Sequence, residues 1–143
     1  MNPKRLFLAI VVVFIGIFAT DFLIHGVLLK SDYAQTQNLW RTETGMQKYF
    51  QWLLLGQLLA AVTFVCVWAK GFAALKCLRC ACIYGIMMAL FGQANSLITY
   101  AVQPIPGEII AKWFFSAIAQ GVAMGILVFV CYKPKPLMSP KTV

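Results

Sequence analysis

The sequence predicts an all-α membrane protein, a four-transmembrane-helix bundle with both termini in the cytoplasm. The first observation is composition, since 62% of the 143 residues are hydrophobic, 11% are charged and the mean hydropathy is +0.81. A soluble domain of this length has too little interior to bury that much apolar surface. The second observation is that the apolar residues form four runs, each near the ~20 residues that a helix needs to cross a bilayer.

The four runs define one transmembrane domain over residues 1–132. Their residues do not alternate as barrel strands do, and a helix satisfies its backbone hydrogen bonds within the segment. A cleaved signal peptide at 1–20 is disfavoured, because the apolar run resumes after Asp21 without an A-x-A-like site. Residues 133–143 are expected to form a flexible cytoplasmic tail. The predicted spans cover about 6–29, 49–69, 80–100 and 109–132.

The orientation follows from the positive charges. Of the twelve Lys and Arg residues, eight lie on the side that holds both termini and four lie on the opposite side. Cytoplasmic connections carry an excess of positive charge, so both termini are predicted inside. The net charge of +8 then reflects contact with lipid headgroups. The expected partner is therefore the lipid bilayer and not nucleic acid, since the charges do not line one face of a folded module.

The loop at 30–48 joins the first two spans and is polar. Part of it is predicted to lie as a short interfacial helix, with Trp40 at the headgroup level. A tight basic turn at 70–79 joins the second and third spans. Pro104 and Pro106 stop the third span and keep the next connection extended.

Polar residues lie within the spans, and Asp21 and His25 share one face of the first helix because they are four residues apart. A carboxylate near the bilayer centre costs about 2.5–3.5 kcal/mol on insertion scales, so it normally faces protein or water. With the predicted orientation, the polar residues of all four spans fall in their outer halves. Besides Asp21 and His25, these include Gln51, Gln93, Asn95, Ser96, Thr99, Lys112, Ser116 and Gln120.

This one-sided cluster predicts a pocket open to the outside that binds, or also transports, a small solute or ion. A channel would instead show a continuous polar path. Lys112 is expected to offset the charge of Asp21, and His25 to donate to it or to bind the ligand. The candidate ligand-binding residues are Asp21, His25, Gln93, Asn95, Lys112 and Gln120.

Two other interpretations stay open. The polar side chains of a membrane bundle often form only interhelical hydrogen bonds, worth about 0.6 kcal/mol each, as in a non-catalytic accessory or assembly subunit. An enzyme would need Asp21 and His25 as its catalytic pair. No nucleotide, metalloprotease or hydrolase motif is present, and a lone histidine excludes bis-His haem. Neither enzyme activity nor a cofactor is therefore predicted.

Small residues recur at helical spacing in the last two spans, which predicts close helix packing. Ala117, Gly121 and Gly125 form one such ladder on the fourth span, and Gly85, Ala89, Gly92 and Ser96 form another on the third. Packing within the chain is the main interpretation. A homo-oligomer with its seam along the Gly121/Gly125 face is the alternative.

The five cysteines all fall at the inner ends of the predicted helices. Cys77, Cys80 and Cys82 include a C-x-x-C motif, a weak candidate for metal or thiol chemistry. The cytoplasm is reducing, so structural disulfides are not expected. No histidine and no second C-x-x-C lies there to complete a zinc site. Cysteine as an ordinary small apolar residue is the alternative.

The stretch from Asp21 to Lys30, followed by Tyr33 and Leu39-Trp40-Arg41, resembles a recurring pattern in small four-span bacterial inner-membrane proteins. Tyr100-Ala-Val-Gln-Pro-Ile-Pro106 with Trp113 is similar to the same group. The resemblance extends from the first span to the fourth. It implies the four-span topology and a bacterial inner (plasma) membrane location, and it places the matching residues on the outer side. It implies no activity, and it does not include Cys77–Cys82.

Overall fold

The computed structural model describes residues 2–132, of which 89% are helical and none form strands. Four helices are long and apolar enough to span a membrane, as the sequence predicted. The tail predicted at 133–143 lies outside the described residues. The fold is therefore an all-helical bundle compatible with a membrane.

The first spanning helix has two parts, α1 (Pro3–Asp21) and a π-helix (Phe22–Leu28). The loop predicted at 30–48 contains α2 (Lys30–Gln35) and a 3₁₀ turn (Gln37–Leu39), so its short helix is confirmed. The other spanning helices are α3 (Glu43–Gly71), α4 (Leu78–Val102) and α5 (Gly107–Cys131). A 3₁₀ turn (Ala73–Leu75) connects α3 to α4. Each spanning helix begins or ends a few residues from its predicted bound.

Side chains at the helix starts satisfy backbone N–H groups that have no partner within the helix. Asn2 accepts a hydrogen bond from the Arg5 N–H at 3.4 Å, and Pro3 follows it at the first helical position. Thr42 accepts from the Gly45 N–H at 3.2 Å at the start of α3. The polar Thr42-Glu43 pair thus explains why α3 begins several residues before the apolar run at Tyr49.

The ladders of small residues pack α4 against α5 within the chain, except at Gly92, where an added Cβ atom would meet nothing within 4 Å. A Cβ atom placed on Gly85 would overlap the backbone carbonyl of Gly121, and one on Gly125 would overlap that of Ala81. The two backbones therefore approach as closely as small-residue interfaces allow. The face of Gly121 and Gly125 is covered by α4, which corresponds to the packing interpretation and leaves no exposed seam there.

Two buried clusters lie at opposite ends of the bundle. The larger one includes Val13, Val65, Trp68 and Val128, and it joins α1, α3 and α5 near the end where the chain begins. The smaller one joins Leu29, Ile105, Ile109 and Ile110 at the end that carries α2, which we call the α2 end. The surface around the sides of the bundle is apolar, with Phe91 81% exposed and Phe7 71% exposed. Such a surface fits hydrocarbon better than water.

Candidate functional site

The backbone changes from an α-helix to a π-helix immediately after Asp21. The π-helix ends where the Leu29 N–H donates to the Ile24 carbonyl at 2.9 Å, five residues back rather than four. π-helical turns are rare and occur frequently at functional sites. The π-helix begins between Asp21 and His25, so its wider turn determines the positions of these two side chains relative to each other. No local pattern in the sequence predicts this π-helix.

A cavity of about 270 Å³ lies beside the π-helix, between α1, α4 and α5. Its size is near the lower end of the ~300–1,000 Å³ typical of small-molecule sites. Four of the six predicted binding residues line it, namely Asp21, His25, Gln93 and Gln120. The remaining lining residues are Ile24, Ser96, Trp113, Ser116 and Ala117.

Two amide side chains hold the carboxylate of Asp21. Gln57 Nε2 donates to Oδ2 at 2.7 Å, and Gln120 Nε2 donates to Oδ1 at 2.7 Å. These bonds join α1 to both α3 and α5, and bonds to a charged acceptor are stronger than neutral ones. Gln57 was not among the predicted residues, because nothing in the sequence shows which face of α3 meets α1.

A hydroxyl group in turn orients Gln120. Gln120 Nε2 also donates to Thr20 Oγ1 at 2.6 Å, and Thr20 Oγ1 donates to the Gly16 carbonyl at 2.7 Å. The amide of Gln120 is thus shared between Thr20 and Asp21. Thr20, likewise not predicted, fixes the position of the group that holds the carboxylate.

Lys112, the predicted cationic partner of Asp21, does not neutralise it. Lys112 Nζ lies 2.6 and 2.8 Å from the two carboxylate oxygens of Asp32 in α2, and this is the only salt bridge within residues 2–132. The expectation that Lys112 offsets Asp21 was therefore wrong, and Lys112 does not line the cavity. The reason is that α2 folds over the start of α5 and brings Asp32 to Lys112.

Asn95 does not line the cavity either and is exposed. It lies two residues from Gln93 in α4, and side chains two residues apart in an α-helix point in different directions. Gln93 does line the cavity, and its Oε1 atom is buried without a hydrogen-bond partner among the described residues. A buried acceptor of this kind calls for a donor that the described residues do not provide.

A chain of hydrogen bonds links His25 to α2 and α5. Trp113 Nε1 donates to the Tyr33 hydroxyl at 2.8 Å, and that hydroxyl lies 2.6 Å from His25 Nδ1. Indole N–H can only donate, so Tyr33 accepts from Trp113 and its own O–H is free to donate to Nδ1. When Tyr33 donates in this way, the neutral imidazole carries its proton on Nε2.

Burial raises the pKa of Tyr33 above its ordinary value; the hydrogen bond from Trp113 lowers it and the charge of Asp32 raises it again. The phenol therefore stays protonated and able to donate at neutral pH. His25 consequently has one nitrogen fixed by Tyr33, a residue that the sequence analysis had not assigned to the site.

Aromatic rings surround this hydrogen-bond chain at the α2 end, and one of them, Trp113, lines the cavity. The Tyr33 and Trp40 ring centroids are 5.2 Å apart, and those of Trp40 and Trp113 are 6.1 Å apart, both with their edges directed at a face. Trp40 Nε1 donates to Thr36 Oγ1 at 2.8 Å. We call α2 and these rings the aromatic cap. It fixes one wall of the cavity, since Trp113 belongs to both.

No family model, curated protein or solved structure matches this chain. What the site does must therefore be argued from its own geometry.

The cysteines are placed far from this cavity. Cys77 and Cys80 form a disulfide at the start of α4, which corrects the expectation that the motif stays reduced. The sulfur of Cys77 accepts a hydrogen bond from the Cys80 N–H at 3.0 Å. Cys82 is a free thiol, and residues 2–132 contain no group of three or more potential ligands arranged for a metal ion. The weak metal candidates Cys77, Cys80 and Cys82 are thus not gathered around a common position.

Proposed function

We propose that the protein binds a small polar solute or ion in the Asp21 cavity, entering from the outer side of a bacterial inner membrane. One observation carries the proposal: a carboxylate in a helix long and apolar enough to span a membrane lines a cavity and has no cationic partner in the described part of the chain. Charged groups at such positions are costly and normally serve a purpose. The proposal extends to transport of the bound solute across the membrane. Both termini would then lie on the cytoplasmic side.

The hydrogen bonds around Asp21 support a binding role. Gln57 and Gln120 hold the carboxylate in place, but amides donate hydrogen bonds without cancelling its charge. The wall thus presents a positioned charge to the space in front of it. A site that is fixed before its ligand arrives loses less entropy on binding.

One observation favours the accessory-subunit alternative. Both oxygens of Asp21 accept bonds from other helices, so the same contacts also lock α1 to α3 and α5. A purely structural network requires no access for solutes. Access to the cavity wall therefore separates the two hypotheses.

Access can be measured with a cysteine reporter. In a variant with the five native cysteines changed to Ser, Ser116→Cys introduces a thiol in the cavity wall. Intact cells are treated with small membrane-impermeant methanethiosulfonates, one cationic and one anionic. If solutes bind from outside, the Ser116→Cys thiol should be modified, and faster by the cationic reagent than by the anionic one. Asp21→Asn should remove that difference in rate. Ala119→Cys on the exposed lipid-facing side of α5 is the matched control.

Two results would overturn the proposal. A Ser116→Cys thiol that reacts only after the membrane is broken has no path from outside. In a second variant that keeps Cys131 as its single cysteine, labelling from outside intact cells would show that the orientation is reversed. In each case the variants are first shown to purify as a single species with the wild-type helical content.

A further inference from the structure

The polar wall of the Asp21 cavity carries a specific chemical imbalance. It holds one negative charge and a buried acceptor, Gln93 Oε1, with no partner in the described part of the chain. We propose that the ligand is a small protonated amine, with its ammonium group between Asp21 and Gln93. This inference rests on the proposed function and names the ligand class.

Charge is the first step of the argument. At this end of the bundle Asp32 and Lys112 form a salt bridge, so their two charges balance each other. His25 forms no salt bridge with Asp21 in the described residues, and its Nδ1 atom is bonded to the Tyr33 hydroxyl. The cavity therefore has one uncompensated charge, and a single cation balances it. Anionic solutes would add a second negative charge in a medium that screens charges poorly.

Hydrogen-bond capacity is the second step. An ammonium group has only donors, and the unpartnered group in the wall is an acceptor. Each oxygen of Asp21 accepts one bond from an amide and has room for another. A primary ammonium fits both, since it can donate to Asp21 and Gln93 at once. A neutral alcohol would supply a donor but leave the charge unbalanced.

The apolar part of the wall distinguishes an amine from a metal cation. Ile24, Ala117 and the Trp113 ring line the same cavity. The Trp113 N–H is already bonded to Tyr33, so the indole contributes its ring, and indole faces attract organic cations. Alkali and alkaline-earth ions prefer a full shell of oxygen ligands, which this half-apolar wall does not offer. The volume of about 270 Å³ suits an amine with a short carbon chain.

The reporter thiol of Ser116→Cys tests this inference by protection. Ethylammonium, which carries the proposed group, is compared with potassium, propionate and propanol at equal concentration and ionic strength. Modification should slow by the factor 1 + [L]/Kd, about tenfold at ~10 times Kd, with ethylammonium alone. Asp21→Asn should abolish the protection. Gln93→Leu should weaken it several-fold, whereas Gln51→Leu, on an exposed position of α3, should leave it unchanged.

The outcomes separate the two proposals. If the thiol reacts from outside but potassium, propionate or propanol protects as well as ethylammonium, the amine inference fails and the binding site stands. Protection by ethylammonium that survives Asp21→Asn also overturns the inference. A thiol that cannot be reached from outside overturns the proposed function itself.

Discussion

The ammonium group of Lys112 donates to both carboxylate oxygens of Asp32, at 2.6 and 2.8 Å, and so ties α2 to α5 across 80 residues of sequence. The pair lies at the edge of the aromatic cap, with the Lys112 side chain 41% exposed and that of Asp32 14% exposed. Because Lys112 is already paired with Asp32, it is not available to Asp21. The charges in the aromatic cap therefore balance each other, and the charge of Asp21 in the cavity is left without a partner among the described residues.

The Asp32–Lys112 pair should contribute little to global stability but should hold α2 in place. Partly exposed ion pairs contribute about 0–1 kcal/mol, so a double-mutant cycle with Asp32→Asn and Lys112→Gln should give a coupling within that range. Amide hydrogen exchange in α2 should nevertheless speed up in each single variant. Exchange in α4 serves as the internal control. A coupling well above this range, or unchanged exchange in α2, would contradict the prediction.

Tyr33 should make stability fall at alkaline pH. Its pKa in the folded protein is raised above the ordinary value of 10.0, so the folded state keeps the phenol proton when the unfolded state has lost it. The stabilisation is complete below pH ~10 and is lost as pH rises through the folded pKa. Unfolding in a dodecyl sulfate titration, followed from pH 8 to 11.5, measures it.

Tyr33→Phe isolates this contribution, because it removes the phenol and leaves every other ionisable group in place. The difference in stability between wild type and Tyr33→Phe should shrink as pH rises. Tyr49→Phe is the matched control, since Tyr49 is 47% exposed. A pH profile of Tyr33→Phe parallel to that of the wild type would refute the assignment.

The contact of α4 with α5 at Gly85 should tolerate no side chain. A Cβ on Gly85 would overlap the carbonyl of Gly121, whereas one on Gly92, also in α4, would meet nothing within 4 Å. Gly85→Ala should therefore destabilise the bundle by about 1–3 kcal/mol or more. Gly92→Ala should be neutral or stabilise by up to about 1 kcal/mol through helix propensity. Unfolding titrations of the two variants compare one substitution in one helix, and equal effects would argue against the close approach.

Gln57 should matter only through Asp21. Gln57→Leu removes one of the two donors to the carboxylate, and losing a hydrogen bond to a charged group costs about 1.5–3 kcal/mol. With Asp21→Asn present, the cost should fall, so the two substitutions should be clearly non-additive. Gln51→Leu on the same helix is the control. Additive effects would show that Gln57 stabilises α3 independently of Asp21.

The sequence predicted the fold well because the thickness of the bilayer sets the length of each apolar run. It also brought together Asp21, His25, Gln93 and Gln120, since helical spacing and one-sided polarity are local properties. It missed Gln57 and Tyr33, because which face of one helix meets another is decided by packing over the whole bundle. Lys112 was assigned to the wrong carboxylate for the same reason.

The π-helix between Asp21 and Leu29 has a consequence for how this region tolerates change. Each of its turns holds more chain than an α-turn, and one surplus residue in a helix rotates everything beyond it by about 100°. Winding Phe22–Leu28 as an α-helix with the same number of residues would turn Leu29 and α2 further about the helix axis and away from α5. The spacing of the chain at this point, more than the identity of its side chains, thus keeps the aromatic cap in phase with the cavity.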